Sequence, residues 1–167
     1  MAHLSSETLV DAIKSTQNMN LKEKELICDE LFREQPNLLA SILVQQQMGN
    51  TAEEVDVLLN ILIVLHMAVK GAGVKISMVT ELQQQDQLSK LTASIAFSSG
   101  MDSQSVNSSI TQYISNHKES ILLVFVTDSM KRAGFFEKTK ECSKYLIFAG
   151  VNLVNCLSNA IELAASE

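Results

Sequence analysis

His66 is the residue whose type and setting come closest to those of a general base or a metal ligand. It lies in the most apolar stretch of the chain, VDVLLNILIVLHMAVKGAG at 55–73, and imidazole titrates near neutral pH. On a helical wheel it points to the apolar side, and one turn later the sequence has Lys70 and no second ligand. We therefore expect a buried histidine bonded to the backbone. The alternative is a pocket inside a helical bundle, lined by Asn60, His66 and Met67.

Short-range patterns in the sequence predict neither a metal nor a cofactor site. The three histidines are far apart, and HxxxH, ExxH and CxxC are absent. The GAGVK segment at 71–75 follows a predicted helix and lacks the spacing of a phosphate loop, so it is typical of a helix end. We expect no metal and no cofactor.

Three carboxylates, Glu53, Glu54 and Asp56, lie together at a predicted helix start. Paired carboxylates can divide acid and base roles, but carboxylates are favoured at a helix N-terminus by the helix dipole alone. The structural role is therefore preferred. The three cysteines, Cys28, Cys142 and Cys156, have no histidine nearby in sequence and are expected to be buried thiols.

A basic segment, KRAGFFEKTKECSK at 131–144, holds five basic and two acidic residues in a chain of net charge −6. It is the strongest surface candidate in the sequence, either for an anion or for a protein partner. The competing interpretation is a structural corner in which basic residues complement a helix C-terminus and two phenylalanines pack inward. The candidate residues are Lys131, Arg132, Phe135, Phe136 and Lys138.

A stripe of polar residues runs along the last predicted helix. Tyr145 to Ile161 has no charged residue over seventeen positions, which is close to the length of a membrane span. Four polar side chains nevertheless fall on one side of the helical wheel, which favours an amphipathic helix covering a core. They are Asn152, Asn155, Asn159 and Glu162.

Helical periodicity extends over the whole chain, and one proline and six glycines are too few for a mostly β protein. We predict about seven helices in an antiparallel bundle with short connections. The second helix is expected to bury five apolar residues: Leu21, Leu26, Ile27, Leu31 and Phe32. The predicted helices cover 6–17, a segment from Asn20 to 34, a segment from Pro36 to Gly49, 51–70, 78–98, 103–133 with a break near 116–117, and 135–165.

The length of 167 residues predicts a single domain. Within it we distinguish N-terminal helices (1–35), a middle part (36–134) and a long C-terminal helix (135–167). LLASILVQQQM at 38–48 and LTASIAFSSGM at 91–101 match at five positions. Either the middle part contains duplicated helical hairpins, or the similarity arises by chance between helices rich in Leu, Ala and Ser.

Composition narrows the class of protein. A net charge of −6 and a pI near 5.1 argue against nucleic-acid binding, which requires clustered basic residues. The N-terminus has no secretory pattern, and the cysteines form no disulfide framework, so we expect a cytoplasmic protein.

The leading functional hypothesis is a soluble, non-catalytic interaction protein that binds itself or a protein partner through apolar helix faces. Its positive basis is the apolar surface predicted on helices 51–70 and 145–161. The alternative is a small-molecule-binding protein or enzyme with a pocket inside the bundle, so a small-molecule partner stays open. Membrane association is the weakest of the three.

Overall fold

The computed structural model describes residues 4–95 and 103–167, and this part of the chain forms an all-α helical bundle. It contains eight α-helices and one short 3₁₀ turn at Phe135–Glu137. The helices are α1 (Ser6–Gln17), α2 (Leu21–Glu34), α3 (Pro36–Gln47), α4 (Ala52–Gly71), α5 (Glu81–Ile95), α6 (Ser103–Asn116), α7 (Ser120–Arg132) and α8 (Ser143–Ala165).

Local sequence signals set most of the helix starts. Asn20 and Thr51 each form a capping box with the glutamate three positions later, which satisfies two backbone N–H groups at each start. Pro36 occupies the first turn of α3, as predicted. Thr80 begins α5 in the same way as the two capping boxes, since its backbone N–H and that of Gln83 each bond to the other's side chain.

The prediction of one continuous helix over 135–165 is wrong. Gly134 takes a left-handed conformation, with φ of 76°, that turns the chain. Phe135 then enters the core, where it is 1% exposed, and Lys138 is extended and pairs with Glu54. The helix starts again only at Ser143. The last helix does not start at Phe135, because the burial of this side chain holds the chain in the turn that follows Gly134.

Helices α4 and α8 form the centre of the bundle. The second half of α4 is buried without interruption from Ile61 to His66. It packs against α1, α3, α7 and α8, and α8 also packs against α3, α5 and α7. The rest of this chain therefore buries the apolar half of α4, which removes that face from the surfaces open to a partner.

Helix α2 lies at the edge of the bundle, and the prediction of its buried face is wrong for three of five residues. Leu31 is fully buried and Ile27 packs partly buried against the core, but Leu21, Leu26 and Phe32 are exposed. The main contacts of α2 are with α3 and α4. Lys24 bonds to Asn60, and Glu30 contacts His66, with the same separation of 36 positions in both pairs. The two helices therefore run in the same direction, as expected when α3 reverses the chain between them.

Among the described residues, one helix, α8, has the length and hydropathy of a membrane span, and 67% of its most apolar window is buried in the bundle. That burial fits the core helix of a soluble protein. The proposed repeat cannot be compared in full, because 96–101 of its second segment lies outside the described residues.

Candidate functional site

An open apolar groove runs between α3, α5 and α8, with a volume of about 400 Å³. Its floor contains the buried residues Leu38, Leu153 and Cys156. On α8 the lining extends from Tyr145 to Cys156, which corresponds to about 16 Å at the helical rise of 1.5 Å per residue. The groove is thus an elongated feature that follows the helices.

The rim of the groove consists of large apolar side chains that water reaches. Four of them are between 37% and 41% exposed: Val44, Met48, Leu88 and Tyr145. Isolated exposed apolar residues are normal on a protein surface. Their grouping along one groove is the feature that makes it a candidate binding site.

Asn152 brings a polar group to this apolar groove. It lies on α8 with 9% of its surface exposed, and its Nδ2 donates to the backbone carbonyl of Gln84 on α5 at 3.3 Å. Its Oδ1 is buried and has no hydrogen-bond partner among the described residues. Such acceptors usually find a donor in proteins, and Asn152 is the one lining residue with an unsatisfied buried acceptor among the described residues.

A second hollow, a cleft of about 480 Å³, lies beside His66. The ring Nε2 of His66 is 3.1 Å from Oε1 of Glu30, and Lys70 Nζ is 2.5 Å from the same oxygen. The hydrogen bond from Lys70, followed by that from His66, holds the pKa of Glu30 below its usual value despite its partial burial. The expected backbone partner of His66 is therefore replaced by a carboxylate from α2.

The residues predicted to line a pocket with His66 do not converge on this cleft. Asn60 and Met67 are absent from its described lining. Asn60 donates to the Asp56 carbonyl one turn earlier and accepts from Lys24 at 3.2 Å. The cleft is lined instead by Glu34, Lys70 and Lys75 beside His66, together with apolar residues of α2, α3 and α4.

The basic segment at 131–144 is divided between core and surface. Phe135 is buried, Phe136 is half-buried, and Lys131 is exposed. Lys138 Nζ lies 2.9 Å from Glu54 Oε2 and 5.8 Å from the Phe135 ring centre. Arg132 pairs with Asp128 one turn earlier on α7. Lys138 and Arg132 therefore both have acidic partners within the chain.

The polar stripe on α8 faces other helices over most of its length. Asn155 Oδ1 accepts from the His117 ring Nε2 at 2.7 Å, and Asn155 also bonds to the Tyr113 hydroxyl. His117 Nδ1 accepts from the Glu119 backbone N–H, so its ring proton is on Nε2. Asn159 and Glu162 line a polar hollow of about 360 Å³ with His117, and Glu162 pairs with Lys118.

The sequence predicted a helix break near His117, and the structure adds a hydrogen-bond network to it. The break between α6 and α7 is present at 116–117, as predicted, but the ring is half-buried and joins that break to α8. A lone histidine in a polar segment carries no local signal of a partner 38 positions away.

The cysteines are free thiols. Cys156 is buried, as predicted, and burial raises its pKa to about 12. Cys28 and Cys142 are half-buried. A thiol with so high a pKa is protonated at neutral pH, so Cys156 acts as an apolar part of the groove floor.

No family model matches the sequence, and no curated protein or solved structure matches the chain.

The sequence contained only indirect signs of the groove. The groove residues of α3 lie on one face of the helix, at Leu38, Ser41, Val44, Gln45 and Met48. This spacing is typical of a helix face buried in a core. The sequence does not show that other helices leave part of the face exposed.

Proposed function

We propose that this chain is a non-catalytic interaction module that binds an amphipathic helix of a partner protein in the groove between α3, α5 and α8. The observation that supports it most is the row of exposed apolar side chains at the rim. Covering these side chains removes apolar surface from water, the main driving force for protein association. This proposal keeps the interaction hypothesis drawn from the sequence and moves it away from α4.

The openness of the groove favours a helix over a small molecule. Small-ligand sites enclose most of their ligand's surface. This groove is open to solvent along its rim, where Leu88 and Tyr145 are partly exposed. A helix laid along about 16 Å of groove would cover the rim with side chains at i, i+3, i+4 and i+7. Met48, which is unbranched and flexible, can adapt to their shape.

The charge of the groove favours a basic or neutral partner over a second copy of this chain. Glu81 is its one charged residue among the described lining, and the whole chain carries a net charge of −6. Two copies would bring like charges together. The proposed partner helix therefore carries an apolar stripe and a basic residue near Glu81. The free thiols agree with a cytoplasmic setting for this encounter.

Selection from a library of amphipathic helical peptides with both acidic and basic flanks tests the proposal. We expect enrichment of peptides with a basic flank that bind the wild-type chain. Leu88→Glu should weaken them at least about tenfold, because a carboxylate would enter the apolar groove. Val124→Glu is the matched control, since Val124 is an exposed apolar residue of α7 outside the groove lining. Loss of affinity in both variants, or in neither, would refute the proposal.

Two further outcomes would assign the groove to another occupant. Light scattering that shows a dimer dissociated by Leu88→Glu but not by Val124→Glu would identify a second copy. Stoichiometric binding of a long-chain fatty acid, lost in the same variant, together with failure of every helical peptide, would identify a small apolar ligand. Either result contradicts a partner helix.

A further inference from the structure

We propose that Glu30, Glu34 and His66 form a binding site for a zinc ion at the edge of the cleft beside α4. One ligand atom from each residue lies within 4.8 Å of those of the other two. This site uses α2 and α4, whereas the helix-binding groove uses α3, α5 and α8. A negative result for one of the two proposals therefore does not contradict the other.

The parallel course of α2 and α4 creates this cluster. Glu30 and Glu34 are one turn apart on α2, so their side chains lie on the same face. That face meets α4 at His66, whose Nε2 is already in contact with Glu30. The sequence shows only two glutamates four positions apart and a histidine 36 positions after the first, a spacing that no short metal motif contains.

The distances fit one ion after a small movement. Zinc binds nitrogen and oxygen ligands at about 2.0–2.2 Å in a tetrahedral arrangement, so two ligands of one ion lie roughly 3.3–3.6 Å apart. Glu34 is exposed, and its carboxylate can close the remaining gap by rotating about its own bonds. His66 is held in a buried position and would supply the fixed point.

The ligand set indicates the class of metal. Imidazole suits zinc and neighbouring transition metals, whereas magnesium and calcium prefer oxygen ligands throughout. Three protein ligands leave a fourth coordination position open, as in zinc sites that bind a water or a substrate. The cleft of about 480 Å³ is lined by both Glu34 and His66, so it offers space beside that position.

Lys70 competes for the site. Its ammonium lies 2.5 Å from Oε1 of Glu30, so a zinc ion bound to this carboxylate would compete with it for the same negative charge. The Lys70 side chain is 47% exposed, so it can move into solvent. The proposed site therefore leads to a specific expectation: removing the positive charge of Lys70, which does not bind the metal, should tighten metal binding.

Zinc titration calorimetry on the untagged full-length chain tests the site, with cobalt absorption as a second readout of coordination. We expect one ion per chain, at least tenfold weaker binding in His66→Gln and in Glu34→Gln, and tighter binding in Lys70→Met. Glu25→Gln is the matched control, because Glu25 is another exposed glutamate of α2, and it should bind as the wild type does.

Circular dichroism shows which variants fold. Because Glu34 is exposed, Glu34→Gln should fold, and it tests the site even if His66→Gln unfolds. The site is refuted if the wild-type chain binds no zinc, if Glu34→Gln binds zinc as tightly as the wild type, or if Lys70→Met weakens binding.

Discussion

The amide of Asn152 donates to the backbone carbonyl of Gln84 at 3.3 Å, and this bond joins α8 to α5 at the groove proposed to bind a helix. The same amide leaves its oxygen without a partner among the described residues. One side chain thus holds one wall of the groove against another. The groove depends on this contact between helices that are 68 positions apart at this point.

The ion pair of Glu54 and Lys138 should make stability depend on pH. Burial raises the pKa of Glu54, but the bonds from Lys138 and Thr51 outweigh it, so the pKa is lowered overall. The pair therefore stabilises the fold above the ordinary carboxyl pKa of about 4.3, and this contribution is lost as pH falls through the lower pKa of the folded state.

The variant Lys138→Met tests this dependence. Glu54 is 5% exposed, so its charge would lose a partner in a buried place. We expect a loss of about 1–2 kcal/mol at pH 7, below the cost for a fully buried pair because Lys138 is one-third exposed. The difference from wild type should shrink below pH 4 in urea unfolding. Lys140→Met, at an exposed lysine of the same segment, should show little change at either pH.

Gly150 lies where α8 comes close to Met130 of α7 and Leu58 of α4. A Cβ at this position would lie 2.6 Å from Met130 Sδ and 3.4 Å from Leu58 Cδ2. Gly150→Ala should destabilise the fold by about 1–2 kcal/mol, since overpacking exceeds the gain in helix propensity. In a Met130→Ala background the same change should become stabilising, because the added methyl enters the space left by Met130. Thermal unfolding of the four variants measures the coupling, and equal effects in both backgrounds would contradict this packing.

Asn155 should stabilise the junction of α6, α7 and α8. It is 7% exposed and bonds to both His117 and Tyr113. Asn155→Leu should cost about 2 kcal/mol, because two partners would lose their bonds in a partly buried place. Asn159→Leu, one turn later and half-buried, should cost less. Urea unfolding compares the two, and an equal or larger loss in the Asn159 variant would show that the network contributes little.

Local signals in the sequence were sufficient for most of the fold. Asn20, Pro36 and Thr51 mark helix starts because capping depends on residues within one turn. The start of α8 could not be predicted, since it depends on Phe135 entering a core formed by distant helices. The predicted burial of Leu21 and Phe32 on α2 was wrong for a similar reason: both are exposed at the edge of the bundle, and nothing in their own spacing shows it.

The candidate sites were harder to predict than the helices. His66 was recognised as the most reactive type in the apolar stretch, but its partner Glu30 lies on another helix at a distance that no motif encodes. The basic segment was recognised from its charge, and the fold then used Phe135 and Lys138 internally. The groove required knowledge of which apolar residues stay uncovered, and only the packed helices contain that information.

The most direct test of helix binding in the groove is the NMR spectrum of the chain with ¹³C-labelled methionine methyl groups, recorded while a selected amphipathic peptide is added. The seven methionines include Met48 at the groove rim and Met130, which is fully buried against Gly150. The proposal predicts that the Met48 signal shifts in proportion to peptide bound and that the Met130 signal stays in place. A bound peptide that leaves Met48 unchanged and shifts Met130 or Met67 would contradict it.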